Sequence, residues 1–276
     1  MPTPPPLLSL FPGGGRIHLL GGSNHSGKST LVAQLCQALL SGSPLFSFPS
    51  PEPLPPSHLF VVFCDRTQAD NMEWLAKLPV QPTIFSLVDE PEYVRLLKSG
   101  SFERGISIGA KNPVSGFHQF EWLLKRLSPP PGSILLLDVF SNVFVGRDIQ
   151  ENGEVRANMI AIGDLARSRN LTLIGTCYGV KIQGDKKSRY ARLIDRLIGG
   201  ASFRGCASTI AYITTPEEAA VEDYPIPSSS PDLSSERIQV LAIVPRSGPP
   251  HTVFISRTQT GFFAEVNQVA VDIAAV

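Results

Sequence analysis

The sequence predicts an α/β fold in which a mostly parallel sheet carries helices on both faces and ends in an antiparallel extension. Apolar, β-branched runs alternate with segments of helical periodicity through most of the chain, which is typical of parallel strands joined by helices. The runs at 59–65 and 132–140 are apolar almost throughout, as expected for strands covered on both faces. Near the carboxyl end, 237–244 and 251–257 are strand-like with no helix between them, which favours an antiparallel pair.

The elements follow from local patterns in chain order. Predicted strands cover 16–22, 59–65, 82–88, 132–140, 171–179, 237–244 and 251–257. Predicted helices cover 27–42, 69–78, 91–100, 117–127 and 151–170, each with apolar residues at helical spacing. Three segments lack either pattern: an irregular amino-terminal arm at 1–15, a proline-rich surface loop at 43–58 and a polar loop at 216–236. We find no internal repeat and predict a single domain over 1–276.

Composition narrows the classes of protein that this chain can belong to. Its 276 residues are 42% hydrophobic and 17% charged, which is enough to bury a core, and the formal net charge is zero. A neutral chain has no overall field that attracts nucleic acid or anionic membrane, so such binding requires a local patch. No apolar run has the roughly 18 residues of a membrane span, and the first residues do not resemble a signal peptide, so we expect a cytoplasmic protein without membrane contact.

The cysteines do not indicate a metal or disulfide framework. They are single residues in apolar stretches without CxxC spacing, which suits buried reduced thiols. They are Cys36, Cys64, Cys177 and Cys206.

The segment "GGSNHSGKST" carries the clearest chemical signal. It matches the phosphate-binding pattern Gly-x4-Gly-Lys-Ser, and it lies between a predicted strand and a predicted helix, as that pattern requires. In such a loop, backbone N–H groups converge on phosphate oxygens, the lysine reaches the outer phosphates and the serine binds magnesium. We therefore predict ATP and Mg²⁺ as ligands, with His25 as a solvent-facing spacer. The predicted contact residues are Gly22, Ser23, Asn24, His25, Ser26, Gly27, Lys28, Ser29 and Thr30.

Asp138 is the predicted partner of this loop. It ends the apolar strand "ILLLD", where a carboxylate can hold the magnesium ion together with Ser29. The next residue is Val139, so this position does not supply a catalytic glutamate.

The order of these motifs resembles the RecA-like core of hexameric helicases of the DnaB and plasmid RepA type, over about residues 12–264. The resemblance rests on the phosphate loop, "ILLLDVFSNVF", "LTLIGTCYGVK" and the ending "VPRSGPPHTVFISRTQTGFF". It implies a hexameric ring in which Arg246 reaches the nucleotide of the neighbouring subunit, although Val244 stands where the family usually has lysine.

The resemblance also implies two positions at which this chain departs from the family. The water-activating glutamate is expected after the second strand, where Asp65 is the nearest acid and Glu73 lies further on. The position that senses the outer phosphate is usually glutamine or histidine and is here Cys177 or Tyr178. We predict Lys28, Asp65, Asp138 and Arg246 as catalytic residues.

A basic segment at 180–196 raises the question of nucleic acid. In RecA-like rings the loop at this place lines the central channel, so the resemblance implies that the segment binds single-stranded DNA, with Tyr190 as a stacking residue. The alternative is a solvated basic helix face that begins near Ser188. The predicted DNA contacts are Lys181, Lys186, Lys187 and Arg189, with Arg192 and Arg196 nearby. Arg204 could contact nucleotide or a neighbouring subunit.

These patterns leave three functions open. The first is a ring-forming DNA helicase or translocase of replication or recombination. The second is a RecA-like regulatory ATPase of the KaiC or recombination-mediator kind. The third is an assembly protein that binds ATP without hydrolysing it.

Overall fold

The computed structural model describes residues 11–23, 25–71, 76, 78–102, 115–141, 152–179, 205–215, 238–247 and 251–266. The strands are β1 (Ile17–Gly22), β2 (Leu59–Phe63), β3 (Thr83–Ser86), β4 (Ile134–Asp138), β5 (Thr172–Thr176), β6 (Thr209–Thr214), β7 (Ile238–Pro245), β8 (His251–Arg257) and β9 (Phe263–Glu265). The α-helices are α1 (Lys28–Ser41), α2 (Pro91–Lys98), α3 (Ser115–Leu127) and α4 (Asn152–Ser168). Short 3₁₀ turns occupy Pro56–His58 and Ala69–Asn71.

The described strands form one mixed sheet in the order β3-β2-β4-β5-β1-β6-β7-β8-β9. Strands β3 through β6 in this order are parallel, whereas β7, β8 and β9 pair antiparallel. The predicted fold class is therefore confirmed. Because parallel strands end at the same edge, the carboxyl ends of β1, β2, β4 and β5 lie there, where open α/β sheets bind their ligands.

Helices cover both faces of the sheet because successive strand residues point to opposite sides. In β1, Leu19 packs in the cluster that includes Phe120 of α3 and Met159 of α4. The next residue, Leu20, packs in the cluster that includes Leu35 of α1 and also Phe263 of β9. The phosphate-loop helix α1 and the carboxyl-terminal extension therefore share one face of the core.

Two predicted segments differ in detail from the structure. The predicted helix at 69–78 begins as a 3₁₀ turn, and residues 72–75 and 77 lie outside the described part of the chain. The proline-rich loop is packed more closely than predicted, since Leu45 is buried and the Leu54 N–H donates to the Leu39 carbonyl of α1 at 2.8 Å. Residues 1–10, 180–204 and 216–237 also lie outside the described residues.

Cys36, Cys64 and Cys177 are buried free thiols, and Cys206 is a half-buried one. Within the described ranges, none of the helices has the length and apolarity needed to cross a membrane.

His18, on β1, makes the stability of the fold depend on pH. Its side chain is buried, its Nε2 lies 3.0 Å from the Pro12 carbonyl oxygen, and burial lowers its pKa from 6.5 to about 4. The unfolded chain therefore binds a proton more readily between these values, so stability decreases as pH falls from about 6.5 to about 4. We expect His18 to account for about 2 kcal/mol of the decrease in the free energy of unfolding between pH 7 and pH 4.5.

Urea unfolding of the wild type and of His18→Gln at both pH values measures this contribution. The glutamine keeps a hydrogen-bond donor but does not titrate, so the variant is expected to lose less stability at the lower pH. Equal losses in the two proteins would show that His18 does not carry the effect.

Candidate phosphate-binding site

The glycines of the loop between β1 and α1 are required by close contacts. Gly22 ends β1, and a Cβ atom there would collide with the Ser26 hydroxyl. Gly27 precedes α1 with a φ of 99°, a left-handed conformation that favours glycine, and a Cβ atom there would collide with the Phe263 ring. His25 also has a positive φ, of 63°, and is exposed as predicted.

Lys28 begins α1, and its ammonium group turns back onto the loop. Nζ donates to the Gly22 carbonyl at 3.0 Å and to the Ser23 carbonyl at 2.8 Å. It also lies 5.0 Å from the centroid of the Tyr178 ring, a cation–π contact. Burial lowers the pKa of Lys28, and the nearby Asp138 carboxylate opposes this shift. The ammonium group is therefore held beside the phosphate loop by two backbone carbonyls. Phosphate oxygens can replace these carbonyls as acceptors when a nucleotide binds.

Asp138 joins three elements at the end of β4. Its side chain is 6% exposed, and its two carboxylate oxygens accept hydrogen bonds from the Ser29 hydroxyl, at 2.9 Å, and from the Thr176 hydroxyl. Its backbone carbonyl accepts from the Cys64 N–H at 2.7 Å. The predicted pairing of Asp138 with the phosphate loop is thus present in the geometry.

The donor set around Asp138 fits magnesium. One hydroxyl and one carboxylate are hard oxygen ligands, and Mg²⁺ in nucleotide sites takes few protein ligands because water and phosphate oxygens complete its coordination. Among the described residues, no group of three or more His, Cys, Asp or Glu side chains could hold a metal by itself.

A cavity of about 360 Å³ opens beside the loop. Three cationic side chains and one carboxylate line it, so it suits an anionic ligand. Its lining consists of His25, Gly27, Lys28, Ser29, Thr30, Arg66, Asp138, Val139, Tyr178 and Arg257. Sequence reasoning missed Arg66 and Arg257. Arg257 ends β8, a signal of the kind that identified Asp138, and Arg66 lies in the loop that follows β2. The nearness of both residues to the phosphate loop depends on the order of strands in the sheet.

Asp65 and Tyr178 form a second polar pair near Lys28. The Tyr178 hydroxyl hydrogen-bonds to the Asp65 carboxylate. Burial and then the Asp138 charge raise the pKa of Asp65, which makes it a better proton acceptor than an ordinary aspartate. Of the two predicted sensor positions, Tyr178 lines the cavity, whereas Cys177 is buried in the core cluster that contains Phe140.

Arg246 lies at the other edge of the sheet from the loop of its own chain. It follows β7, where Pro245 pairs with Thr209 at the start of β6, and its N–H donates to the Ser208 carbonyl at 2.8 Å. Its side chain is exposed. Asn24, Glu73, Arg204 and the basic segment 180–196 lie outside the described residues.

A glycine-rich loop between a strand and a helix, with its serine bonded to an aspartate that ends a nearby strand, defines a P-loop nucleotide-binding protein. The family model described as AAA domain (AAA_25) matches residues 1–181 of the 276, more than half of the chain. The chain therefore belongs to this family of P-loop ATPases. No curated protein matches the sequence significantly. The matched region includes the phosphate loop, Asp65, Asp138 and Tyr178, but neither Arg246 nor Arg257.

Proposed function

We propose that this protein is a magnesium-dependent ATPase that assembles into a RecA-like ring and acts on single-stranded DNA as a helicase or translocase. The observation that supports the ATPase part is the hydrogen bond between Ser29, in the first turn of α1, and Asp138, since a hydroxyl and a carboxylate next to Lys28 are ligands that magnesium can take. The ring and the DNA substrate rest on the resemblance to hexameric helicases.

Different residues of the chain have different roles in the proposed hydrolysis. Lys28 binds the outer phosphates by exchanging its two backbone carbonyl partners for phosphate oxygens. Ser29 and Asp138 hold magnesium, which when bound offsets charge on the phosphates. Asp65 accepts the proton of the attacking water as the bond to the terminal phosphorus forms and the bond to the ADP oxygen breaks. Its raised pKa supports this assignment.

The ring gives Arg246 its role. An arginine that completes a neighbour's site must lie away from its own phosphate loop, and Arg246 lies at the other sheet edge with an exposed side chain. In a ring, its guanidinium stabilises charge on the phosphoryl group of the adjacent subunit. Arg246→Ala is then expected to slow hydrolysis without weakening nucleotide binding in the monomer.

ATP hydrolysis measured with and without single-stranded DNA tests the motor. We expect DNA to stimulate hydrolysis, and the double variant Lys186→Ala/Lys187→Ala to lose the stimulation while still binding nucleotide. The mass of the particle in ATP, with and without DNA, tests the ring. Hydrolysis that is indifferent to any nucleic acid would contradict the motor but leave the ATPase in place.

A regulatory ATPase is the second candidate, and one observation favours it. Asp65 is engaged by the Tyr178 hydroxyl, and Tyr178 also packs against Lys28, so the groups needed for turnover restrain one another. Val139 supplies no additional acid. Such a site suits slow hydrolysis. A nucleotide that stays bound for a long time can then control whether the protein binds a partner. Slow hydrolysis without DNA stimulation, together with a change in oligomeric mass between ATP and ADP, would support this candidate.

Replacing Asp65 with asparagine tests the proposed base. Asparagine keeps an acceptor for the Tyr178 hydroxyl but cannot take a proton, so hydrolysis is expected to slow by roughly 100-fold with ATP affinity nearly unchanged. In the wild type, hydrolysis is expected to fall as pH decreases through the raised pKa of Asp65, since the protonated form cannot act as a base. Asp164→Asn, in an exposed ion pair with Arg167 on α4, is the matched control. Normal turnover in Asp65→Asn would assign the base elsewhere.

A further inference from the structure

Arg257 reaches the phosphate loop of its own chain from the carboxyl-terminal extension. It ends β8, which runs antiparallel to β7, so its end lies at the same sheet edge as the end of β1. Its Nη2 lies 3.5 Å from the His25 carbonyl oxygen and would lie 3.0 Å from a Cβ atom placed on Gly27. The guanidinium group therefore lies beside the amino-terminal end of α1, where phosphate oxygens bind in a P-loop.

The guanidinium is held in this place by its neighbours. It lies 5.5 Å from the centroid of the Phe263 ring, which supports it from β9. Phe263 is fixed in turn by Gln34 of α1, whose side-chain amide donates to the Phe263 carbonyl at 2.7 Å and accepts from its N–H at 2.9 Å. The arginine is thus positioned from the same helix that begins with Lys28.

Most of the hydrogen-bonding capacity of Arg257 remains available to a ligand. Within the described residues no carboxylate pairs with it, and its contact with the His25 carbonyl is long for a hydrogen bond. An arginine carries five N–H donors in a planar fork that matches phosphate oxygens. The side chain lines the cavity already described, together with Lys28 and Arg66.

The position of Arg257 indicates which phosphate it would meet. The strand before the phosphate loop, β1, has β5, β4 and β2 on one side and β6, β7 and β8 on the other. Asp65 and Asp138 follow or end β2 and β4, so they lie on the first side. Arg257 ends β8 and lies on the second side. In the proposed reaction Asp138 binds magnesium and Asp65 activates the water that attacks the terminal phosphate. The terminal phosphate must therefore lie near these two acids. A cation from the opposite side therefore faces the phosphates nearer the nucleoside.

We propose that Arg257 is a nucleotide-binding residue that acts within its own subunit and contacts the α- or β-phosphate. This inference rests on the proposed function, since it assumes a nucleotide in the P-loop. The contact also joins the nucleotide to the carboxyl-terminal strands, which lie outside the region matched by the AAA family. The site then takes cations from two sources: Arg257 in its own chain for binding, and Arg246 of a neighbour for turnover.

Calorimetric titration with ADP and with a non-hydrolysable ATP analogue, both in magnesium, tests the proposal. Arg257→Ala is expected to weaken both ligands by a similar factor of about 10, because both contain the α- and β-phosphates. Arg257→Gln, which keeps a long polar side chain but removes the charge, is expected to show a comparable loss. Arg169→Ala is the matched control, since Arg169 is an exposed arginine between α4 and β5, at the other sheet edge.

The outcomes separate this proposal from the proposed function. If the wild type binds nucleotide and Lys28→Ala does not, the P-loop function stands; unchanged ADP affinity in the folded Arg257 variants would then overturn the role of Arg257 alone. Weakening of the ATP analogue without weakening of ADP would also overturn it, because the contact would then be with the terminal phosphate. If the wild type binds neither ligand, the proposed function itself fails. Thermal unfolding without nucleotide establishes that each variant is folded.

A double-mutant cycle tests whether Phe263 acts through Arg257. Phe263→Leu keeps apolar volume against Gly27 but removes the aromatic ring beneath the guanidinium. We expect it to weaken ADP binding about threefold in the wild type and to have no further effect in Arg257→Ala. Equal effects of Phe263→Leu in the two backgrounds would mean that the ring supports the loop and not the arginine.

Discussion

Replacing Lys28 with alanine is expected to weaken ATP binding by on the order of 100-fold and to abolish measurable hydrolysis. The side chain places a buried cation at the phosphate loop, and a charged hydrogen bond in a desolvated site contributes more than a neutral one. Alanine preserves α1, since it is a strong helix former, but leaves the Gly22 and Ser23 carbonyls without their donor. Titration with the non-hydrolysable ATP analogue measures binding, and phosphate release measures turnover.

Two comparisons make the result with Lys28 specific. Lys98→Ala removes an exposed lysine at the end of α2 and is expected to leave both readouts unchanged. Thermal unfolding without nucleotide separates loss of a phosphate contact from loss of the fold. A folded Lys28→Ala protein that binds the analogue as tightly as the wild type would contradict the assignment of this loop as the phosphate site.

Replacing Asp138 with asparagine is expected to remove the magnesium dependence of nucleotide binding. An amide keeps one acceptor and one donor for the Ser29 and Thr176 hydroxyls, so the fold is retained. The negative charge is lost, and with it the carboxylate that Mg²⁺ requires. We expect nucleotide affinity in magnesium to fall by roughly 100-fold, with the affinity in a chelating buffer close to that of the wild type.

The difference between the two buffers makes this second result informative. A loss of the same size with and without magnesium would indicate damage to the loop itself and would count against Asp138 as a metal-binding residue. Asp164→Asn, in an exposed ion pair with Arg167 on α4, is the matched control and is expected to behave as the wild type in both buffers. Hydrolysis in Asp138→Asn is expected to be lost in either buffer, because turnover depends on the metal.

Local patterns predicted the framework of the fold and the loop. Apolar runs such as 132–140 and the helical repeat of 151–170 correspond to β4 and α4, because a buried strand and a packed helix impose their periods directly on the chain. The end of the sheet was predictable for the same reason, since 237–244 and 251–257 follow each other without a helix. The 3₁₀ turn at Ala69–Asn71 was not predictable, because periodicity in a short segment does not specify the turn with which it starts.

The sequence by itself determined the phosphate loop, since its glycines, Lys28 and Ser29 act over a few adjacent residues and need only a strand before them and a helix after them. It also indicated Asp138, because a carboxylate that ends a buried strand lies at the ligand-binding edge of a parallel sheet. Only the tertiary structure decided that Tyr178 and not Cys177 faces the site, and that Arg257 lies beside the loop. The reason is physical: the position of Tyr178 depends on β5 lying between β4 and β1, and that of Arg257 on the antiparallel return of β7 and β8. Both are set by contacts between residues far apart in the chain.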